Sequence, residues 1–69
     1  MDPMKVWKAA QRATAEIEVD GLRVHLEVVA ALRSHSAPQE VGGELVLIKG
    51  PRLRQRLVAR DGVAALEVL

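Results

Sequence analysis

The sequence predicts a mainly β domain, α+β at the margin. A short N-terminal helix precedes a five-stranded antiparallel meander or a small, SH3-like, partly open barrel. Three observations carry that expectation. Two Asp-Gly dipeptides, Asp20-Gly21 and Asp61-Gly62, each sit between runs in which apolar residues alternate. A continuous apolar stretch, Leu45-Val46-Leu47-Ile48, is closed off by Gly50-Pro51. The 69 residues include no cysteine and one aromatic residue, Trp7, so the core must be aliphatic and cannot lean on disulfides.

The helix is expected over residues 3–12. Asp2 suits the N-cap and Pro3 the first helical position. Met4, Val6, Trp7, Ala10 and Ala13 recur at helical spacing, with Lys5, Lys8, Gln11 and Arg12 on the other side. A helix this short is marginal alone, so it should dock on the sheet through Trp7.

Residues 13–33 read as the first hairpin. Asp-Gly favours a two-residue type I′ loop because both central residues need positive φ. With Asp20-Gly21 as the loop, Val19 faces Leu22, Ile17 faces Val24, Ala15 faces Leu26 and Ala13 faces Val28. The opposite face pairs Glu18 with Arg23, Glu16 with His25 and Thr14 with Glu27. A slip of one residue would turn the apolar set toward water, which fixes the register. Beyond Val28 the alternation fails, and a bulge is expected near Val28-Val29-Ala30-Ala31. Leu22, Leu26, Val29 and Arg33 also fit a helix over 22–34; the hairpin is preferred because its pairs are consistent on both faces.

Residues 34–43, with Pro38 and Gly42-Gly43, read as a mobile polar loop. Residues 44–69 read as a buried strand followed by the second hairpin. Around Asp61-Gly62, Ala59 faces Ala64, Leu57 faces Leu66 and Gln55 faces Val68. The other side pairs Arg60 with Val63, Val58 with Ala65 and Arg56 with Glu67. The whole chain, residues 1–69, is expected to be a single small domain.

The stretch Leu45-Val46-Leu47-Ile48-Lys49-Gly50-Pro51-Arg52-Leu53-Arg54-Gln55-Arg56 resembles the closing strands of small SH3-like modules such as the ferrous-iron-transport accessory domain. There too a strand ends in Gly and leads into an Arg/Leu-alternating segment. The glycine-rich first half of that family is missing from this chain, and the resemblance implies no function for it.

For function, the residues exclude more than they assign. Net charge is +1, which selects no partner class. No apolar run is long enough to span a bilayer, so no membrane partner is expected, and the absence of cysteine fits a reducing, cytoplasmic setting. Ser34 and Ser36 flank His35, but sequence neighbours lack the orienting third group that a nucleophilic triad needs. His25 between Glu16 and Glu27 makes an ion pair rather than a metal-ligand spacing. No enzyme activity, cofactor, metal or small-molecule substrate is expected.

Two binding readings remain. A ring-poor sheet this small should leave apolar surface uncovered, marking a protein interface at Trp7, Leu45, Leu47, Leu66, Val68 and Leu69. The chain would then self-associate as a dimer or higher assembly, or act as an adaptor for another protein. The alternative is nucleic-acid binding by Lys49 with the row Arg52, Arg54, Arg56 and Arg60, whose guanidinium groups suit phosphates. Against it, the sheet has no aromatic residue for base stacking, and charged residues on a strand also guard against edge-to-edge aggregation.

Overall fold

The computed structural model describes residues 1–35 and 38–69. The chain runs α1 (Pro3–Gln11), β1 (Ile17–Val19), β2 (Leu22–Val24), α2 (Leu26–Arg33), β3 (Gln39–Val41), β4 (Glu44–Lys49), β5 (Leu53–Arg60) and β6 (Val63–Val68). The six strands form one open sheet in the order β1-β2-β6-β5-β4-β3. Both helices pack together on one face of it. The 16 Å short dimension is that of one helix layer on one sheet layer.

Local chemistry accounts for the turns. Asp20 and Gly21 have φ of 52° and 83°, and Asp61 and Gly62 have 52° and 75°. Positive φ at both loop positions gives the type I′ geometry that lets strand twist continue through the turn. The first hairpin pairs Ile17 with Val24, Glu18 with Arg23 and Val19 with Leu22. The second pairs all six expected partners, from Gln55 with Val68 to Arg60 with Val63.

Several expectations need correction. The sheet is neither a barrel nor an antiparallel meander: it has six strands, and β2 runs parallel to β6 through Arg23 and Val63. The edge strands β1 and β3 are three residues each and lie at opposite ends of the order, so they do not close. The helices cover the apolar face that barrel closure would otherwise bury. The first hairpin does not extend over 13–33 but stops at Val24, and Leu26–Arg33 is helical. Val29 and Leu32, three apart, share the buried side of α2 at 1% and 0% exposure, a spacing that no strand offers. Ala13–Val28, Ala15–Leu26 and Thr14–Glu27 are therefore not strand pairs, although His25 Nδ1 still meets Glu16 Oε2 at 2.6 Å.

The segment 34–43 is not wholly loop. Gln39–Val41 pairs with Glu44–Val46 across Gly42-Gly43, a third two-residue turn with φ of 58° and 79°. Ser36 and Ala37 lie outside the described residues, and so does that part of the expected loop.

The core between helices and sheet is aliphatic and thin. Val6 and Ala10 of α1, Val29 and Leu32 of α2, and Leu22, Val24, Leu45, Leu47, Leu57 and Ala64 of the strands are buried, with Ala13 between elements. Gln11 joins the helices by donating its side-chain amide to the Leu32 carbonyl at 2.9 Å, and Arg33 Nη1 donates to the Ala13 carbonyl at 2.9 Å.

Candidate interaction surface

Strand alternation sorts the candidate residues by face. Leu45, Leu47 and Leu57 point at the helices and are at most 2% exposed. Leu45 and Leu47 are thus core, not interface, because α1 lies across β4. Trp7 is half-buried against the same core, and its indole Nε1 has no hydrogen-bond partner among the described residues. Leu66 is partly buried there too. Val68 and Leu69 are open to solvent, at 62% and 59% exposure.

The arginine row does not stay a row. Arg54, Arg56 and Arg60 share the face away from the helices, but Arg52 sits in the β4–β5 turn before the strand. Lys49 pairs with Leu53, whereas Arg54 pairs with Ile48, so Lys49 and Arg54 lie on opposite faces. Arg56 and Arg60 both donate to Glu67, and Arg56 Nη1 is also 3.4 Å from Glu44 Oε2. The hydrogen bonds from Arg56 and then Arg60 hold the Glu67 carboxyl below its ordinary value of 4.5. The bond to Glu67 in turn raises the Arg56 guanidinium. This cluster spans β4, β5 and β6, and its arginine stems lie over the uncovered face beside half-buried Val46, Val58 and Ala65.

The less obvious feature is an edge inside the strand order. Leu69 donates its backbone N–H to the Arg54 carbonyl at 2.9 Å. Along an antiparallel pair the bonded residues alternate, so Glu67, Ala65 and Val63 also bond to β5. Ala64, Leu66 and Val68 therefore turn their main-chain groups the other way. On that side β2 reaches only Val63, where Arg23 N–H donates to the Gly62 carbonyl at 2.8 Å, before the chain leaves the sheet for α2. Leu66 and Val68 have no strand beside them among the described residues. The apolar side chains of both residues mark them in the sequence. The open edge is not visible there, because it depends on where β2 stops.

Chemistry for catalysis is sparse. A cleft of about 240 Å³ lies between the two Asp-Gly turns and the start of α1, lined by Asp2, Val6, Val19, Asp20, Leu22 and Ala59 among others. Its lining holds no histidine, hydroxyl or thiol side chain, and its volume is below the usual ligand-pocket range of roughly 300–1,000 Å³. Asp20 is occupied by Lys5 Nζ at 2.7 Å, a bond that raises the lysine's pKa. Asp2 accepts from the Lys5 backbone at 3.3 Å as the α1 cap. No three metal-binding side chains gather among the described residues.

Comparison with protein-family models, with curated proteins and with solved structures finds no match to this chain.

Proposed function

We propose that the chain is a small, non-catalytic interaction module that self-associates through the open edge of β6. One observation carries this reading: Leu66 and Val68 present main-chain groups that no described residue pairs with, beside exposed Val68 and Leu69. An unpaired strand edge is a template for another strand. A second copy fits by antiparallel pairing about a twofold, with Leu66 opposite Val68 of the copy and Val68 opposite its Leu66. That register brings four aliphatic side chains together on the helix side and sets Leu69 beside the copy's Ala65 on the other. The two Glu67 side chains meet at the centre, each already held by two arginines. Shifting the strands toward β2 would bring Ala64 into the pairing where Arg23 already lies beside Val63, so the register is constrained.

Sedimentation velocity tests the reading. The protein should sediment as a dimer at micromolar concentration, and Val68→Pro should be monomeric. Proline removes an N–H that points away from β5, so the β5–β6 ladder survives the change. A monomeric wild type at about 200 μM would overturn the proposal, since specific pairs have Kd values far below that.

The nucleic-acid alternative is weaker on this geometry. Using the arginine row for phosphates would mean taking Arg56 and Arg60 from Glu67. It keeps only Lys49, Arg52 and Arg54.

A further inference from the structure

Those three cations occupy one end of the sheet, where β4 turns through Gly50-Pro51-Arg52 into β5. Lys49, Arg52 and Arg54 are exposed and form no ion pair among the described residues. The sequence contains no acidic residue between Glu44 and Asp61. Among these cations stand aliphatic side chains that the fold leaves in water: Ile48 at 42% and Leu53 at 39% exposure, with exposed Pro51 at the turn. The last two rungs each place one aliphatic residue opposite one cation, Lys49 with Leu53 on one face and Ile48 with Arg54 on the other. Leu69, 59% exposed, follows β6 directly and lies opposite Arg54.

We propose that this end of the sheet docks end-on on an anionic lipid surface. The distribution over both faces decides between partners. A partner laid along one face of the sheet would meet only half of these residues, whereas a plane met end-on receives both faces at the same depth. Phosphates alone would leave Ile48 and Leu53 without purpose, and no ring is present to stack on bases. In a membrane interface the aliphatic tips enter the acyl boundary and the cations remain among the headgroups. From Pro51 to the Ile48–Arg54 rung is about three residues, or roughly 10 Å of strand, comparable with the depth of interfacial burial. No spanning segment is needed, and no helix of the described residues is long and apolar enough to cross a membrane.

Co-sedimentation with vesicles tests this, using phosphatidylcholine alone and phosphatidylcholine with about 30% phosphatidylserine, at low and at about 0.5 M salt. Binding is expected to the anionic vesicles only, and to fall with salt. Each lost cation should lower partitioning about fivefold and a charge reversal more, so Arg52→Glu and Arg54→Glu each reduce binding by tenfold or more. Leu53→Ser should reduce it at either salt concentration. Both arginines are exposed, so circular-dichroism melting should show the variants folded. Absence of binding to anionic vesicles, or binding indifferent to all three substitutions, overturns the proposal. So does capture of a random oligonucleotide with the same sensitivities in place of vesicles. The proposal does not rest on β6 pairing, which sedimentation reads separately.

Discussion

Glu67 accepts from two guanidinium groups at once, and that makes it the residue whose titration the fold should feel. Its folded carboxyl lies below the ordinary 4.5, chiefly because of the bond from Arg56 and next that from Arg60. A depressed carboxylate pKa stabilises the folded state above the unfolded value, and this contribution is lost as pH falls through the folded one. Urea midpoints should therefore hold steady from neutral pH down to about 4.5 as far as Glu67 is concerned, then decline. Glu67→Gln should be less stable at pH 7 and decline less steeply below 4.5. Parallel acid limbs for the two proteins would show that the cluster does not work this way. The Arg56–Glu67 pairing itself was legible in the sequence, because it follows from the Asp61-Gly62 turn by counting. That Arg60 also bends to Glu67, taking it from the arginine row, was not. It depends on a guanidinium reaching diagonally across the strands.

At the scale of elements, the three two-residue turns set the registers, and their strength should be measurable. Gly62 has φ of 75°, and a Cβ built there meets nothing within 4 Å. The cost of Gly62→Ala is thus conformational, about 1–2 kcal/mol for an L-residue held in the left-handed region. Equilibrium urea unfolding checks this; an unchanged midpoint would mean that the turn relaxes to another type. The same reasoning explains which elements the sequence showed. Asp-Gly between alternating runs is a two-body local signal, and both such hairpins follow from it. Gly42-Gly43 carries the same backbone geometry, but its outer strand, Gln39-Glu40-Val41, has one apolar residue and so no alternation to read. The stretch 22–33 satisfies strand pairing at its start and helix spacing at its end, and the chain uses both in turn. Burial of Val29 and Leu32 against α1 and the sheet, a tertiary gain, ends the strand at Val24.

The whole molecule is one sheet with one helical layer, so half of its sheet surface has no covering layer. Arginine stems and the Glu44–Arg56–Glu67–Arg60 cluster screen part of that face. Neither true edge is a hazard, since β1 and β3 are three residues long. The open edge lies instead where β2 leaves β6, and only the parallel contact between them, 40 residues apart in sequence, creates it. No local pattern encodes a contact of that kind, which is why the surplus of apolar residues at Leu66, Val68 and Leu69 was legible in the sequence and the open edge was not. If a second copy fills that edge, folding and pairing are linked by mass action: a partner that binds only the folded chain adds stability that grows with its concentration. The thermal midpoint of the wild type should then rise measurably between about 2 and 200 μM, a hundredfold range worth up to roughly 2.7 kcal/mol. Val68→Pro should melt at one temperature throughout that range. A wild-type midpoint independent of concentration, alongside a variant that melts identically, would mean that Leu66 and Val68 face water in the working protein.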